Sequence, residues 1–259
     1  MGRATAIYLA KNNFLVYAGS RDTKKLQDLK HENIIPLKLD ITDSENINKA
    51  IDTIMTKHSN IDILVNNAGY GLVATVEDVT EEEMLAQFNV NVFGVLRVSK
   101  AVIPIMRKNE SGIIINVSSF LGKIGLPLLT LYNSSKYAVE GITDSLRYEL
   151  RDFNIRVHSI LPGFFDTNFA KENLVTNLKT FDKYSPYAPL VSNLAPVIVE
   201  QINSGNDANE VGKVILEIIQ NDTFSARTTI GDKAKKFIPM RKELSDEDFE
   251  RRVRESYKL

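Results

Sequence analysis

Apolar positions in this chain recur in two rhythms, one helical and one continuous. In MGRATAIYLAKNNFLVYAGSRD, Ala4, Ile7, Tyr8 and Leu9 recur at helical spacing behind Gly2, Asn12 and Asn13 can end the helix, and the apolar run 14–18 follows. That pattern predicts a helix feeding directly into a buried strand. The same alternation continues downstream. NIIPLKL (33–39), IDILVNN (61–67), GIIINVSS (112–119), NIRVHSIL (154–161) and RTTIG (227–231) read as strands. The segments 44–58, 81–107, 131–152 and 207–220 read as helices, the second interrupted by Pro104 near its end.

The strands are continuously apolar rather than alternating, which implies a sheet covered on both faces. Strand–helix–strand alternation implies parallel strands joined by right-handed crossovers. The expected fold is α/β, a doubly wound parallel sheet with helices on both faces, in a single domain over 1–259. Such sheets bind ligands at the carboxyl ends of their strands. The stretch 164–206 breaks the rhythm with three prolines and scattered aromatics. It is too long for a plain connection and leaves a strand end on the ligand side, so a substrate-covering lid is expected there.

Composition removes several classes of function. A chain of 259 residues can bury one sizeable core. A net charge of −1 creates no field favouring nucleic acid or an anionic membrane. The absence of cysteine excludes a disulfide framework and thiolate chemistry. His31, His58 and His158 each stand alone, so no metal site is expected. No uninterrupted apolar run approaches the ~20 residues of a membrane span. The start lacks the charged-then-apolar pattern of a secretory signal, and the expected location is cytoplasmic.

Candidate chemistry centres on YNSSK. Tyr132 and Lys136 lie at i and i+4 on one predicted helix and so share a face. A phenol ordinarily titrates near ~10, and an adjacent ammonium favours its ionised form. The pair therefore suits general acid–base work near neutral pH, although the same spacing also occurs on plain solvated helix faces. Ser119 stands where the strand INVSS emerges and can hold a substrate oxygen facing the tyrosine, or simply serve a turn. NNAG (66–69), Asn89 and Asn91 in NVNVFG, and PGFFDT (162–167) occupy successive element ends on the same expected edge.

In this order the motifs resemble the short-chain dehydrogenase/reductase superfamily over nearly the whole chain. They are Asp40 and Ile41 in LDIT, Asn67, Ala68 and Gly69 in NNAG, Asn91 in N-x-x-G, Ser119, Tyr132 and Lys136 in Y-x-x-x-K, and Pro162, Gly163 and Thr167. The resemblance implies a Rossmann-like fold and a nicotinamide-dependent exchange between carbonyl and alcohol. Tyr132 would give or take the proton, and Ser119 would polarise the substrate oxygen. Lys136 would lower the tyrosine pKa and bind the nicotinamide ribose. Asn91 would hold a water linking Lys136 to solvent. The tail from ARTTIGDKAKK onward resembles the hydroxysteroid- and retinol-dehydrogenase-like branch.

Members of the superfamily open with a strand, a T-G-x-x-x-G-x-G turn and a helix whose first glycine receives the pyrophosphate. Gly2 takes the place of that last glycine, and the preceding strand, central in the family's order, has no counterpart. Either Met1 is internal to a longer protein, or the short form has lost its cofactor and is a non-catalytic binding protein. The complete downstream set favours the first expectation.

At the end of YAGSRD, Ser20 and Arg21 stand where an acidic residue would bind the ribose of NAD. Both suit a 2′-phosphate, so NADP is expected rather than NAD. The lid's Phe164, Phe165, Phe169, Phe181, Tyr184, Tyr187, Leu190 and Val191 suit a small lipophilic carbonyl or alcohol. The cluster Lys233, Lys235, Lys236, Arg241 and Lys242 reads as a solvated face. Apolar residues on more than one face of 85–105 and 137–150, such as Val90, Val92, Val95 and Val98, predict a homodimer or homotetramer.

Overall fold

The computed structural model describes residues 1–167, 169 and 173–259. Four residues of the expected lid, Asn168 and 170–172, therefore lie outside the described residues. Four parallel strands form the main sheet, in the order β10 (Arg227–Ile230), β6 (Ile155–Pro162), β5 (Gly112–Val117) and β3 (Ile63–Asn66). Two earlier strands, β1 (Val16–Ser20) and β2 (Ile34–Lys38), pair in parallel with each other. Among the described residues no ladder joins them to β3.

Helices cover both faces, as the continuous strands require. On one face α2 (Ser44–Met55), α4 (Gly94–Lys108) and α5 (Thr130–Glu149) close a core of Ile47, Val98, Val102, Met106, Ile114, Leu146 and Val157. On the other, α1 (Gly2–Lys11) and α7 (Asn209–Gln220) bury Leu9, Ile115, Ile160, Val211 and Ile215. Those two helices meet at Gly212, where a β-carbon would lie 2.7 Å from that of Tyr8. A third cluster lies at the carboxyl end of the sheet, where Phe120, Leu194, Ile198, Phe237, Phe249 and Tyr257 meet. It is supplied by the turn after β5, by α6 (Ala188–Asn203), and by α8 (Asp232–Glu243) and α9 (Asp246–Tyr257).

Two sequence expectations need correction. Pro104 does not break its helix, because α4 runs on to Lys108. Pro104 is exposed, so the carbonyl whose partner it removes can turn to water. The expected lid is also more regular than its weak periodicity implies. It contains the 16-residue α6, with Pro189 in its first turn and Pro196 inside. It also contributes β7 (Phe165–Asp166), paired with β9 (Asn206–Asp207), and β8 (Leu174–Thr176), which adds in parallel to β4 (Gly71–Val73).

A Thr80/Glu83 capping box starts α3 (Glu81–Phe88), which runs through a π turn, Asn89–Phe93, into α4. The whole stretch Glu81–Lys108 is long and apolar enough to cross a membrane by length and composition alone. Here its Val95, Val98, Val102 and Met106 are spent on the core.

Candidate active site

The carboxyl end of β5 delivers Ser119, whose hydroxyl caps the short turn Phe120–Gly122 by accepting Leu121 N at 3.1 Å. That turn seats directly on α5. A β-carbon at Gly122 would lie 3.0 Å from the Lys136 carbonyl oxygen and 2.8 Å from Ser118 Oγ. Tyr132, in the first turn of α5, thereby meets the Ser119 hydroxyl. One turn on, Lys136 is buried, and its Nζ donates to the Val117 carbonyl at 2.9 Å. The same Nζ lies 5.7 Å from the centroid of the Tyr132 ring.

From the other side comes the loop after β3. Asn66 Nδ2 donates to Asn116 Oδ1 at 2.9 Å, and Asn116 Nδ2 donates to Thr143 Oγ1 at 2.9 Å, tying β3 through β5 to α5. Gly69 then passes so close that a β-carbon would sit 3.1 Å from Asn91 Oδ1 and 3.7 Å from Lys136 Nζ. Asn91 reaches this point because the π turn holds one extra residue and rolls its side chain inward. Its Oδ1 accepts Tyr70 N at 3.0 Å, while Nδ2 donates to Tyr70 O at 2.8 Å and to Ser135 Oγ at 3.0 Å. The side-chain amide thus clamps the loop that carries Gly69.

The electrostatics also correct the sequence reading. Tyr132 was expected to titrate low beside Lys136. Instead burial pushes its hydroxyl up to about 12, opposed by the hydrogen bond from Ser119. Lys136 does not reverse this because its ammonium sits over the ring face and is turned to Val117 O. Burial also pulls the Lys136 ammonium down to about 8, with Glu140 acting against that shift.

The remaining expected site residues gather along the same edge. A β-carbon on Gly2 would overlap Asn67 Nδ2 at 2.4 Å, so the start of α1 abuts the residues 67–69. Ser20 ends β1, but its hydroxyl donates to Asp22 O at 2.9 Å, and the exposed Arg21 follows it. Beyond β2, Asp40 accepts from the Thr42 hydroxyl at 2.6 Å and from Thr42 N at 2.9 Å. Those bonds, helped by Arg21, hold its carboxyl below the ordinary range. Ile41 fits against Gly94 of α4, where a β-carbon would lie 2.5 Å from its Cδ1. Pro162 closes β6, Gly163 donates to Ile230 O at 2.8 Å beside the start of α8, and Thr167 Oγ1 accepts Phe169 N at 3.3 Å.

A family model described as short chain dehydrogenase matches residues 1–177. The chain belongs to the short-chain dehydrogenase family. It is 34% identical over 233 residues to a 3-ketodihydrosphingosine reductase of Bacteroides thetaiotaomicron, covering 89% of this chain and 83% of that one. A short-chain dehydrogenase structure from Streptomyces avermitilis superposes with a TM-score of 0.82 at 28% identity, covering 98% of this chain and 94% of that one. ElxO with NADP bound superposes with a TM-score of 0.72 at 26% identity, over 88% and 91% of the two chains.

This short-chain dehydrogenase fits a nicotinamide cofactor where its own residues leave room. The lack of a side chain at Gly69 spares Asn91 Oδ1 and Lys136 Nζ a β-carbon pressed against them, and among the described residues the Lys136 ammonium, with three protons, has one hydrogen bond to protein. Gln87, one turn before Asn91, was not singled out from the sequence. It is fully buried, with Oε1 accepting Leu72 N and Nε2 donating to Tyr70 O, both at 2.8 Å. Its i, i+4 relation to Asn91 was the available signal. The lid aromatics divide. Phe169 faces Tyr132, with ring centroids 6.2 Å apart, and Leu174 packs beside them. Phe165 is buried in the core, Phe181 and Tyr184 are exposed, and the Tyr187 hydroxyl donates to Glu77 at 2.7 Å.

Proposed function

We propose that the chain is an NADP-dependent oxidoreductase that interconverts a carbonyl and an alcohol on a small lipophilic substrate, with Tyr132 as general acid–base. The observation that carries this reading is the convergence of Ser119, Tyr132 and Lys136 at the carboxyl end of β5, with Gly69 passing beside Lys136 without a side chain. When bound, the nicotinamide supplies or accepts the hydride. In the reducing direction the Tyr132 hydroxyl gives its proton to the substrate oxygen, which the Ser119 hydroxyl polarises. The Lys136 ammonium stabilises the phenolate left behind and holds the ribose. Asn91 and Gln87 fix the loop that carries Gly69, and Pro162, Gly163 and Thr167 border the site on the β6 side. The single-domain assignment and a lid over 164–206 belong to the same reading, supported by Phe169 and Leu174 beside the tyrosine. The B. thetaiotaomicron relative, named for a lipid ketone, supports the lipophilic class. Incubation with NADPH and a panel of aldehydes and ketones should give turnover for lipophilic members. A protein that binds the nucleotide and turns over none of them contradicts the proposal.

The NADP preference rests on Arg21 at the end of β1, with Ser20 beside it. A charge-assisted contact to the 2′-phosphate contributes about 1.5–3 kcal/mol. Arg21→Ala is therefore expected to weaken NADPH binding by roughly ten- to a hundredfold, with little effect on NADH. Equal weakening of both nucleotides, measured by fluorescence titration, would make Arg21 an ordinary loop residue.

Self-association is expected through 85–105 and α5, although of the valines that suggested it Val90 alone is not buried. Val92, Val95, Val98 and Val102 point inward, and the exposed apolar residues are Leu85, Phe93, Leu96, Tyr137 and Tyr148. Light scattering at micromolar concentration should report at least a dimer, and a monomer there refutes the assignment.

A further inference from the structure

The middle of α5 carries a charge cluster that the acid–base chemistry does not use. Glu140 stands one helical turn beyond Lys136, with its side chain 4% exposed. Its Oε2 takes Arg227 Nε of β10 at 2.7 Å and Lys123 Nζ, from the turn after β5, at 3.1 Å. Arg227 Nη2 reaches on to Asp144 of α5 at 2.5 Å. The second oxygen, Oε1, is enclosed without a hydrogen-bond partner among the described residues. Lys136 is buried too, and among the described residues its ammonium makes one hydrogen bond. A buried ammonium is costly without a counter-charge, and on its face of α5 the neighbouring carboxylate is Glu140.

We propose that Glu140 is a positioning residue for the Tyr132–Lys136 pair: its carboxylate supplies the counter-charge that keeps the Lys136 ammonium protonated, and its ion pairs with Arg227 and Lys123 pin the turn of α5 that carries it. The proposal rests on the acid–base reading of Tyr132 and Lys136 given above. Its electrostatic part agrees with the opposition between burial, which pulls Lys136 down to about 8, and Glu140, which raises it. The titratable and charged groups around the pair are Tyr132 and Asp144 on α5, Lys123 from the turn after β5, and Arg227 from β10. The loop after β3 and the π turn face Lys136 with Gly69 and Asn91, which carry no charge. In register with Arg227, β6 presents Ser159.

This arrangement predicts shifts of opposite sign. Glu140→Gln removes the anion and leaves two cations near Lys136, whereas Arg227→Gln removes a cation and leaves the anion more fully to Lys136. Both proteins and the wild type are labelled with ¹³C-lysine and titrated by NMR without cofactor, with Lys136→Arg identifying the Lys136 signal. Lys136 should titrate lower by about one pH unit in Glu140→Gln and higher in Arg227→Gln. The alkaline limb of turnover should move in the same sense, and Glu140→Asp should restore it. Shifts in the same direction, or none, overturn the proposal and leave the cluster a structural clasp. If Glu140→Gln does not fold, Arg227→Gln decides alone, and an unshifted or lowered Lys136 overturns it. Failure of the underlying reading is separate: it shows as turnover that survives Tyr132→Phe, whatever Lys136 does.

Discussion

Tyr132→Phe should lower kcat by roughly a hundred- to ten-thousandfold, the usual contribution of a positioned general acid–base. NADPH affinity should stay close to that of the wild type, because the substitution removes one hydroxyl and no charge. The ring keeps its place against Phe169 and Lys136, and the Ser119 hydroxyl keeps its bond from Leu121 N. The direction of the pH dependence follows from the burial that pushes Tyr132 up to about 12. The phenol is protonated throughout the neutral range, so carbonyl reduction finds its proton donor ready. Alcohol oxidation needs the phenolate, and its rate should climb as pH rises above neutrality until the Lys136 ammonium, pulled down to about 8, is lost. Stopped-flow turnover in both directions, together with fluorescence titration of NADPH, checks both statements. A Tyr132→Phe enzyme with wild-type kcat removes the phenol from the mechanism.

Gln87→Leu should destabilise the protein by about 2–3 kcal/mol, although no ligand is expected to touch Gln87. The side chain is fully buried and closes two backbone hydrogen bonds, to Tyr70 O and Leu72 N. Tyr70 O retains Asn91 Nδ2, but Leu72 N loses its acceptor in a buried strand. An orphaned buried donor costs about 1–3 kcal/mol, and the loss of a fitted polar side chain adds to it. Because β4 carries the lid strand β8, kcat/KM should fall as well. Urea unfolding monitored by circular dichroism gives the first quantity. A change within about 0.5 kcal/mol, typical of a surface substitution, would contradict it.

These two residues also mark what the sequence discloses and what it hides. Tyr132 was legible because the chemistry needs a phenol and an ammonium one turn apart on a helix. The strands β3, β5 and β6 were legible because covering both faces of a sheet makes each a continuous apolar run. Gln87 and Glu140 were not, since their partners lie far along the chain. Each reads as an ordinary polar residue of a helix until Leu72, Lys123 and Arg227 are folded against it. The titration of Tyr132 was misread for a related reason, because local spacing places the ammonium beside the ring but cannot weigh burial against it. α6 was hidden by its two prolines, one harmless in the first turn. The short pairs β4–β8 and β7–β9 involve too few residues to leave a periodicity.

The separation of β1 and β2 from the main sheet gives the molecule a seam. Among the described residues β1 ladders with β2 alone, and β3 with β5 alone, so each has one unpaired edge. Their residues are mostly half-buried, whereas Ile114 and Ile115 of β5 are sealed completely. β1 and β3 are therefore less sealed from solvent than β5. Amide exchange should be fast along β1 and β3 and slow along β5 and β6, which pair on both sides. The β1–β2 ribbon is fastened chiefly by the small cluster of Ala6, Ala10, Leu29 and Ile34, so it should open as a unit at a denaturant concentration that leaves the other four strands intact. A bare strand edge is a template for another chain, which makes edge-to-edge pairing between molecules the characteristic failure of this chain when it is concentrated.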